Sequence, residues 1–234
     1  MTGPLGLLLG AGSGGGGGSL LSLLHFGGAD GSSVITDEVG LTAWTCHGSA
    51  GITTAQKVFG TGSLYGDGVG DSITADTSAP FNLVSSDLSV ELRFRPRIVP
   101  QAGYVCGKTG TNKGWIIYLD NDTLRFYCSS NGSTFDMFNG VAMHSGTLSA
   151  ATWYAIALTR SGNNFYGFLD GVVTSLGTSS AAIYSNTAAM VIGAAGEAGL
   201  SSGVDGNIDE FRLNSGFAYY TSNYTPASSA FTYP

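Results

Sequence analysis

Charged side chains are scarce in this sequence, and basic ones are the scarcest. Asp, Glu, Lys and Arg make up 11% of the 234 residues, with 9 Lys and Arg against 16 Asp and Glu. The net charge of -7 argues against nucleic acid or an anionic membrane as the main partner, because both attract basic surfaces. The basic residues are also scattered along the chain. We therefore expect neither nucleic acid nor a membrane among its partners.

Cysteine motifs are absent. Cys46, Cys106 and Cys128 form neither a CxxC pair nor any zinc-binding spacing. Cys106 and Cys128 could be neighbours in one sheet, and the alternative is that all three are free thiols. Free thiols would favour folding in a reducing cytoplasm.

Long apolar runs are absent too. The apolar segment from Leu5 to Leu9 is too short to span a bilayer. No Lys or Arg precedes Lys57, so the N-terminus lacks the positive region of a secretory signal. We expect this segment to be neither a signal peptide nor a membrane anchor.

Residues 1–19 differ in composition from the rest of the chain and form a Gly/Leu-rich N-terminal arm. Five consecutive glycines, Gly14 to Gly18, predict a flexible spacer. One interpretation of the arm is a disordered tail. The other is an anchor that docks on a neighbouring subunit of a particle, because exposed leucines on a soluble protein need a partner. The anchoring residues would then be Leu5, Leu7, Leu8 and Leu9.

Residues 20–234 are predicted to form one all-β domain. The 37 glycines and 43% hydrophobic residues of the chain indicate many short strands and tight turns around one core. Asn121-Asp122 and residues 161–164 lie between strand-like segments and predict hairpin turns. No heptad or fixed repeat occurs, so we predict an antiparallel β-sandwich or jelly roll. The strand-like segments are 20–26, 88–96, 103–108, 114–120, 123–129, 152–160, 163–173, 188–194 and 207–213.

Several segments follow one another in an order that resembles a known family: LLHFGGADGSSVITDEVG (23–40), FGTGSLYGDGVGDSIT (59–74), LSVELRFRP (88–96), TWYAIALTRSGNNFYGFLDGVV (152–173) and GNIDEFRLNSGFAYYTSNYTP (206–226). The order resembles the laminin-G-like (concanavalin A-like lectin/glucanase) jelly-roll domains of bacteriophage virion proteins, over about residues 20–231. The last segment is the most specific, since "IDE-F-R" followed by "Y-T-S-N-Y-T-P" is typical of the phage versions. Gly27 stands where the family often has an aspartate.

This resemblance implies a fold and a function. The expected fold is two antiparallel sheets packed face to face, one of them concave. The expected function is that of a non-enzymatic virion structural protein, a capsid decoration or a tail or fibre component assembled in the host cytoplasm. Its partners would be other virion proteins, and copies could form a homo-oligomer. The alternative is a glycan-binding adhesin or receptor-binding module for the host surface.

Catalytic patterns are lacking. None of the four glutamates has a second acid two residues away, as a carboxylate pair on one strand face would require for sugar hydrolysis. The three histidines have no Ser-and-Asp pattern such as GxSxG nearby. We expect a protein that is not an enzyme and requires no cofactor.

One acidic pair raises the question of a metal. Strict alternation in 207–213 would place Asp209 on the same face as Phe211 and Leu213, and Glu210 on the opposite face. A carboxylate on a core face must be paired, hydrogen-bonded or bound to a metal. The resemblance implies a structural calcium held by Asp30 with Asp209 or Glu210. The alternative is that Asp209 caps a turn or pairs with a base.

Aromatic residues are the candidates for ligand binding. Rings on the middle strands could line a concave face, with asparagines reading sugar hydroxyls, or most could belong to the core. The candidates are Trp115, Tyr118, Asn131 and Phe135. The tyrosines of segment 219–226 are predicted not to form a strand and to close the sandwich edge, with glycan stacking as the alternative.

Overall fold

Antiparallel pairing organises the chain. In residues 18–193 and 203–232, which the computed structural model describes, fifteen strands form two sheets. The strands are β1 (Ser19–Leu24), β2 (Trp44–His47), β3 (Gly51–Thr53), β4 (Ser63–Asp67), β5 (Ser72–Ala75), β6 (Leu88–Pro96), β7 (Gln101–Lys108), β8 (Trp115–Asn121), β9 (Thr123–Cys128), β10 (Phe138–Ala142), β11 (Tyr154–Ser161), β12 (Asn164–Leu169), β13 (Val172–Thr178), β14 (Val191–Ile192) and β15 (Asp205–Ser215).

The two sheets have simple orders. Sheet A runs β13-β12-β11-β6-β15-β4-β3, and β1 pairs with the C-terminal half of β15 beyond the end of β4. Sheet B runs β10-β9-β8-β7-β14-β5-β2. The predicted all-β sandwich is confirmed. In the described part of the chain, helical structure is limited to a 3₁₀ turn at Ala79–Phe81, and no helix there is long and apolar enough to cross a bilayer.

The strand predictions hold best where apolar alternation is long. Segment 88–96 coincides with β6, and the hairpins at Asn121-Asp122 and 161–164 join the predicted strands. Segment 163–173 was predicted as one strand and is two. The chain reverses at Asp170-Gly171, where both residues have positive φ (49° and 79°), the combination a tight hairpin turn needs.

The core lies between the sheets. On β6, Val90 and Phe94 point into it, and from sheet B it receives Ile117 and Phe126. Each of these side chains is at most 1% exposed, and full burial of one such side chain stabilises the fold by about 1.5–3 kcal/mol. Apolar burial on the inner faces is therefore what holds the two sheets together.

The three cysteines are free thiols. Cys106 on β7 and Cys128 on β9 are buried and are separated by β8, so the two do not lie on neighbouring strands. Burial raises the pKa of both thiols, that of Cys128 to about 12. Both side chains therefore act as small apolar core residues.

The C-terminal strap, residues 216–232, crosses the outer face of sheet A. As predicted, it contains no strand. The prediction that it closes the sandwich edge holds only in part: Asn223 accepts from the Val173 N–H on edge strand β13 (2.9 Å), but the strap also lies across the face. The Tyr220 hydroxyl donates to Oε1 of Glu91 (3.0 Å) on β6, and Thr159 on β11 donates to the Tyr220 carbonyl (2.7 Å). The strap covers a face because these central strands present polar partners there.

A buried ion pair lies beneath the strap. Arg212 on β15 is opposite Glu91 on β6, and Nε of Arg212 donates to Oε2 of Glu91 (2.8 Å). The guanidinium lies 4.2 Å from the ring centroid of Tyr219 and 4.1 Å from that of Phe231. Two strap rings thus shield the pair from water and add cation–π attraction.

We expect Glu91→Ala to destabilise the protein by about 3–5 kcal/mol, because it leaves the buried charge of Arg212 unpaired. Urea unfolding followed by tryptophan fluorescence measures the loss. The matched control is Asp120→Ala, which breaks a pair with Arg125 in which both side chains are about a third exposed (37% and 34%). That change should cost at most about 1 kcal/mol. Equal losses in the two variants would contradict the prediction.

Candidate functional site

A β-bulge in β15 decides where the acidic pair points. Asp209 is opposite Arg93 and Arg212 is opposite Glu91, so β15 carries one more residue than β6 between these pairs. Glu210 lies in the bulge with a φ of 51°. The extra residue shifts the alternation of side chains by one position.

The shift takes Asp209 off the core face. Ile208, Phe211 and Leu213 all belong to the core, although strict alternation would place Ile208 opposite the other two. The prediction that Asp209 shares a face with Phe211 is therefore wrong, and the bulge is the physical reason.

Asp209 holds the loop between β3 and β4. Its Oδ2 accepts hydrogen bonds from the backbone N–H groups of Val58 (2.7 Å) and Phe59 (3.2 Å), and its Oδ1 accepts from the Glu210 N–H (2.9 Å). The side chain is fully buried. Burial raises the pKa of this carboxyl to about 6, against the opposing effect of the N–H donors.

Glu210 joins two other segments. Its Oε1 lies 2.8 Å from Nδ1 of His25, just after β1, and its Oε2 accepts from the Phe231 N–H of the strap (2.7 Å). The side chain is 1% exposed. Glu210 therefore ties both ends of the described domain to β15.

The carboxylates predicted to share a calcium ion serve separate contacts. Asp30 accepts from the N–H (2.8 Å) and the hydroxyl (3.3 Å) of Thr54, and these hydrogen bonds lower its pKa. Among the described residues, no three His, Cys, Asp or Glu side chains are grouped to hold a metal ion. Asp30, Asp209 and Glu210 thus have separate hydrogen-bond partners, and the contacts of Asp209 are those of a capping carboxylate.

A second candidate site is an open groove on the outer face of sheet B. Its volume is about 290 Å³, and it is lined by Tyr104, Ile116, Tyr118, Tyr127 and Phe135. Strand register assembles it: Tyr104 on β7 is opposite Tyr118 on β8, and Ile116 on β8 is opposite Tyr127 on β9. We call it the aromatic groove.

The four rings of the aromatic groove form a continuous row. The ring centroids of Tyr104 and Tyr118 are 5.2 Å apart, those of Tyr118 and Tyr127 6.1 Å, and those of Tyr127 and Phe135 5.2 Å. The first two pairs are nearly perpendicular, at 86° and 89°. Edge-to-face packing of this kind is favourable and fixes the rings relative to one another.

The tyrosine hydroxyls of the aromatic groove are free to bind a ligand. Within the described residues, the hydroxyls of Tyr104, Tyr118 and Tyr127 have no hydrogen-bond partner. They are not buried either, so they remain accessible to solvent. Burial raises the pKa of Tyr104 and of Tyr118. Both phenols therefore stay protonated and can donate as well as accept.

Phe135 is held in place by the loop between β9 and β10. Oδ1 of Asn131 accepts from the backbone N–H groups of Ser133 (2.8 Å) and Thr134 (3.0 Å), and its Nδ2 donates to the Thr134 hydroxyl (3.1 Å). The amide of Asn131 is thus engaged within the loop. It positions the loop that carries Phe135, and it does not line the groove.

An ion pair forms one rim of the aromatic groove. Arg125 lies opposite Tyr118, and its Nε donates to Oδ2 of Asp120 (2.7 Å) while its Nη1 donates to the Gly140 carbonyl (3.0 Å). These contacts fix the guanidinium beside the rings.

The structure brings together only part of the predicted ligand set. Tyr118 and Phe135 line the aromatic groove, whereas Trp115 is 2% exposed and belongs to the core. Trp115 and Tyr118 are three residues apart on one strand and must point to opposite faces. That rule could have excluded Trp115 from sequence. Tyr104 and Tyr127 were missed, because their place beside Tyr118 depends on the register between strands.

The leucines predicted to anchor the protein, Leu5 and Leu7 to Leu9, lie outside the described residues.

Comparison with known proteins supports the fold. A family model described as "Concanavalin A-like lectin/glucanases superfamily" matches residues 66–216. No curated protein sequence matches the chain.

Several solved structures are similar in fold. Domain 4 of AbnA, an extracellular arabinanase from Geobacillus stearothermophilus solved with arabinotriose, superposes with a TM-score of 0.61 at 16% identity, over 85% of this chain and 93% of that one. The binding domain of Paraclostridial Mosquitocidal Protein 1 gives 0.61 at 15% identity, over 88% of this chain and 49% of that one. A Trypanosoma rangeli sialidase mutant gives 0.58 at 13% identity, over 83% of this chain and 30% of that one.

These similarities show the fold alone, because the identities are low. The chain spans about half of the mosquitocidal protein structure and less than a third of the sialidase. The similar structures include both binding domains and enzymes.

We expect the stability of the Asp209→Asn variant to depend less on pH than that of the natural protein. Because the pKa of Asp209 is raised from 3.8 to about 6, the folded protein binds this proton more tightly than the unfolded chain. The resulting stability is fully present below about pH 4 and is lost as the pH rises through about 6. Urea midpoints should therefore fall with pH more steeply in the natural protein than in the variant.

The control for this experiment is Asp76→Asn, which changes an exposed aspartate. It should keep the slope of the natural protein. A slope unchanged in Asp209→Asn would contradict the prediction.

Proposed function

Because the chain belongs to the concanavalin A-like lectin/glucanases superfamily, we propose that it binds glycans through the aromatic groove of sheet B. The observation that carries the proposal is the row of four rings with three tyrosine hydroxyls that have no partner among the described residues. A sugar ring presents a face of C–H groups and an edge of hydroxyls. The rings suit the first and the phenols suit the second.

The fold comparisons support this proposal. The arabinanase domain was solved with arabinotriose, and a botulinum neurotoxin serotype D ligand binding domain with N-acetylneuraminic acid. We infer that this chain shares glycan binding with such domains.

We propose binding without hydrolysis. Glycoside hydrolysis uses a pair of carboxylates flanking the scissile bond. The five described residues that line the aromatic groove are three tyrosines, an isoleucine and a phenylalanine, so none of these side chains supplies a carboxylate. This composition supports an adhesin or receptor-binding module.

We further propose that a bacteriophage virion carries this module, as a capsid decoration or a tail component. The resemblance of residues 206–226 to the phage versions of the family supports this role. Other virion proteins would be its attachment partners and a host-surface glycan its ligand.

The path of the chain before β1 agrees with such a display. Ser19 pairs with Ser215 in sheet A, and a Cβ atom on Gly18 would lie 3.0 Å from Cβ of Phe217. Nearby, Phe217 and Tyr219 are 48% and 37% exposed. The arm thus joins the domain on sheet A, so attachment through it would leave the aromatic groove on sheet B open.

We expect Tyr118→Ala and Tyr127→Ala to weaken glycan binding at least about tenfold, equivalent to about 1.4 kcal/mol. Glycan arrays and calorimetry with host polysaccharide or arabinotriose measure the effect. The control is Tyr166→Ala, a half-buried tyrosine on β12 of the opposite sheet, which should bind normally. Normal binding by both groove variants, or blank arrays and blank host-envelope pull-downs, would contradict the proposal.

Deletion of residues 1–17 should leave a folded domain that no longer enters particles, since β1 begins only at Ser19. Circular dichroism tests the fold, and immunoelectron microscopy tests incorporation. A full-length variant with serine at positions 5, 7, 8 and 9 should show the same loss if the leucines are the anchor. Normal incorporation of both proteins would rule out an anchoring arm.

A further inference from the structure

We propose that the aromatic groove selects uncharged saccharides over acidic ones. This inference rests on the proposed glycan-binding function and adds the charge class of the ligand. It follows from the uncharged side chains that line the groove and from the contacts that Arg125 and Lys113 make beside it.

Among the described residues, those that line the aromatic groove carry no formal charge. Its four rings and the Ile116 side chain offer apolar faces and phenol hydroxyls only. Ile116 is 2% exposed and forms a dry floor. A carboxylate held against such a surface would lose water without gaining a cation, which is unfavourable.

Among the described residues, two cations near the aromatic groove, Arg125 and Lys113, already make contacts within the protein. Arg125 is shared between the Asp120 carboxylate and the Gly140 carbonyl, at 2.7 and 3.0 Å. Lys113 donates to the Ser133 carbonyl (3.0 Å), with its ammonium 5.7 Å from the Phe135 ring centroid. The positive charge of Arg125 is therefore already compensated by Asp120, which weakens its attraction for an acidic sugar.

The pKa shifts of two groove tyrosines agree with a preference for uncharged ligands. The pKa of Tyr118 is raised by burial and by its neighbours Tyr104, Asp120 and Tyr127, and that of Tyr104 by burial and Tyr127. An environment that disfavours a phenolate also disfavours a bound carboxylate. The net charge of -7 on the chain acts in the same direction at longer range.

Matched glycans test the inference. Uronic-acid oligosaccharides are arrayed beside their own carboxyl-reduced forms, together with arabinotriose as a neutral probe and N-acetylneuraminic acid as an acidic one. Each uronic-acid oligosaccharide differs from its reduced form only in the charged group. We expect the full-length protein to bind at least one neutral form about tenfold more tightly than its acidic counterpart, because the acid adds an unpaired charge.

Two variants locate the selectivity. Tyr118→Ala should lose binding to the neutral form, and Lys113→Gln should retain it within about twofold, because this ammonium is turned toward Ser133. Affinity for the neutral form should also be unchanged between low and high salt, since no ion pair is formed.

The outcomes separate the inference from the function on which it rests. Equal or tighter binding of acidic forms, lost in Tyr118→Ala, overturns the charge preference and leaves the glycan-binding function standing. A large loss of affinity for the neutral form in Lys113→Gln would contradict the prediction that Lys113 takes no part in binding it. No binding to any glycan overturns both the function and the inference.

Discussion

The ion pair between Glu91 and Arg212 is the contact on which the outer face of sheet A depends. It joins the two central strands, β6 and β15, and it is buried only because the C-terminal strap crosses above it. If either partner were removed, the strap would cover the unpaired charge of the other, which is strongly destabilising. Without the strap, the pair would be exposed to water and contribute little. The ion pair and the strap therefore require one another.

The strap covers part of the outer face of sheet A, whereas the aromatic groove on sheet B is open. On sheet A, the strap satisfies polar side chains such as Glu91 and Thr159. On sheet B, the hydroxyls of Tyr104, Tyr118 and Tyr127 have no partner in the described residues. The outer face of sheet A thus holds the C-terminal strap, and the outer face of sheet B carries the groove that we propose as the ligand site.

Within the candidate site, what could be predicted depended on how local each signal was. The opposite directions of Trp115 and Tyr118 follow from the period of a strand, so the inclusion of Trp115 was avoidable. The bulge at Glu210 was not predictable in the same way, because one extra residue in β15 has meaning only relative to β6. The same applies to Asp209, whose partners Val58 and Phe59 are about 150 positions earlier in the chain.

The sequence by itself determined the all-β class, most of the long strands and the hairpin turns, because alternation and turn chemistry act over a few residues. The family was indicated by the order of whole segments, and the family model confirms it. Only the tertiary structure decided which tyrosines meet in the aromatic groove, which carboxylates are capped, and that the strap covers a face. These depend on register and on contacts between distant segments. The physical reason is that each strand offers two faces and two edges, and only pairing with the rest of the sheet selects among them.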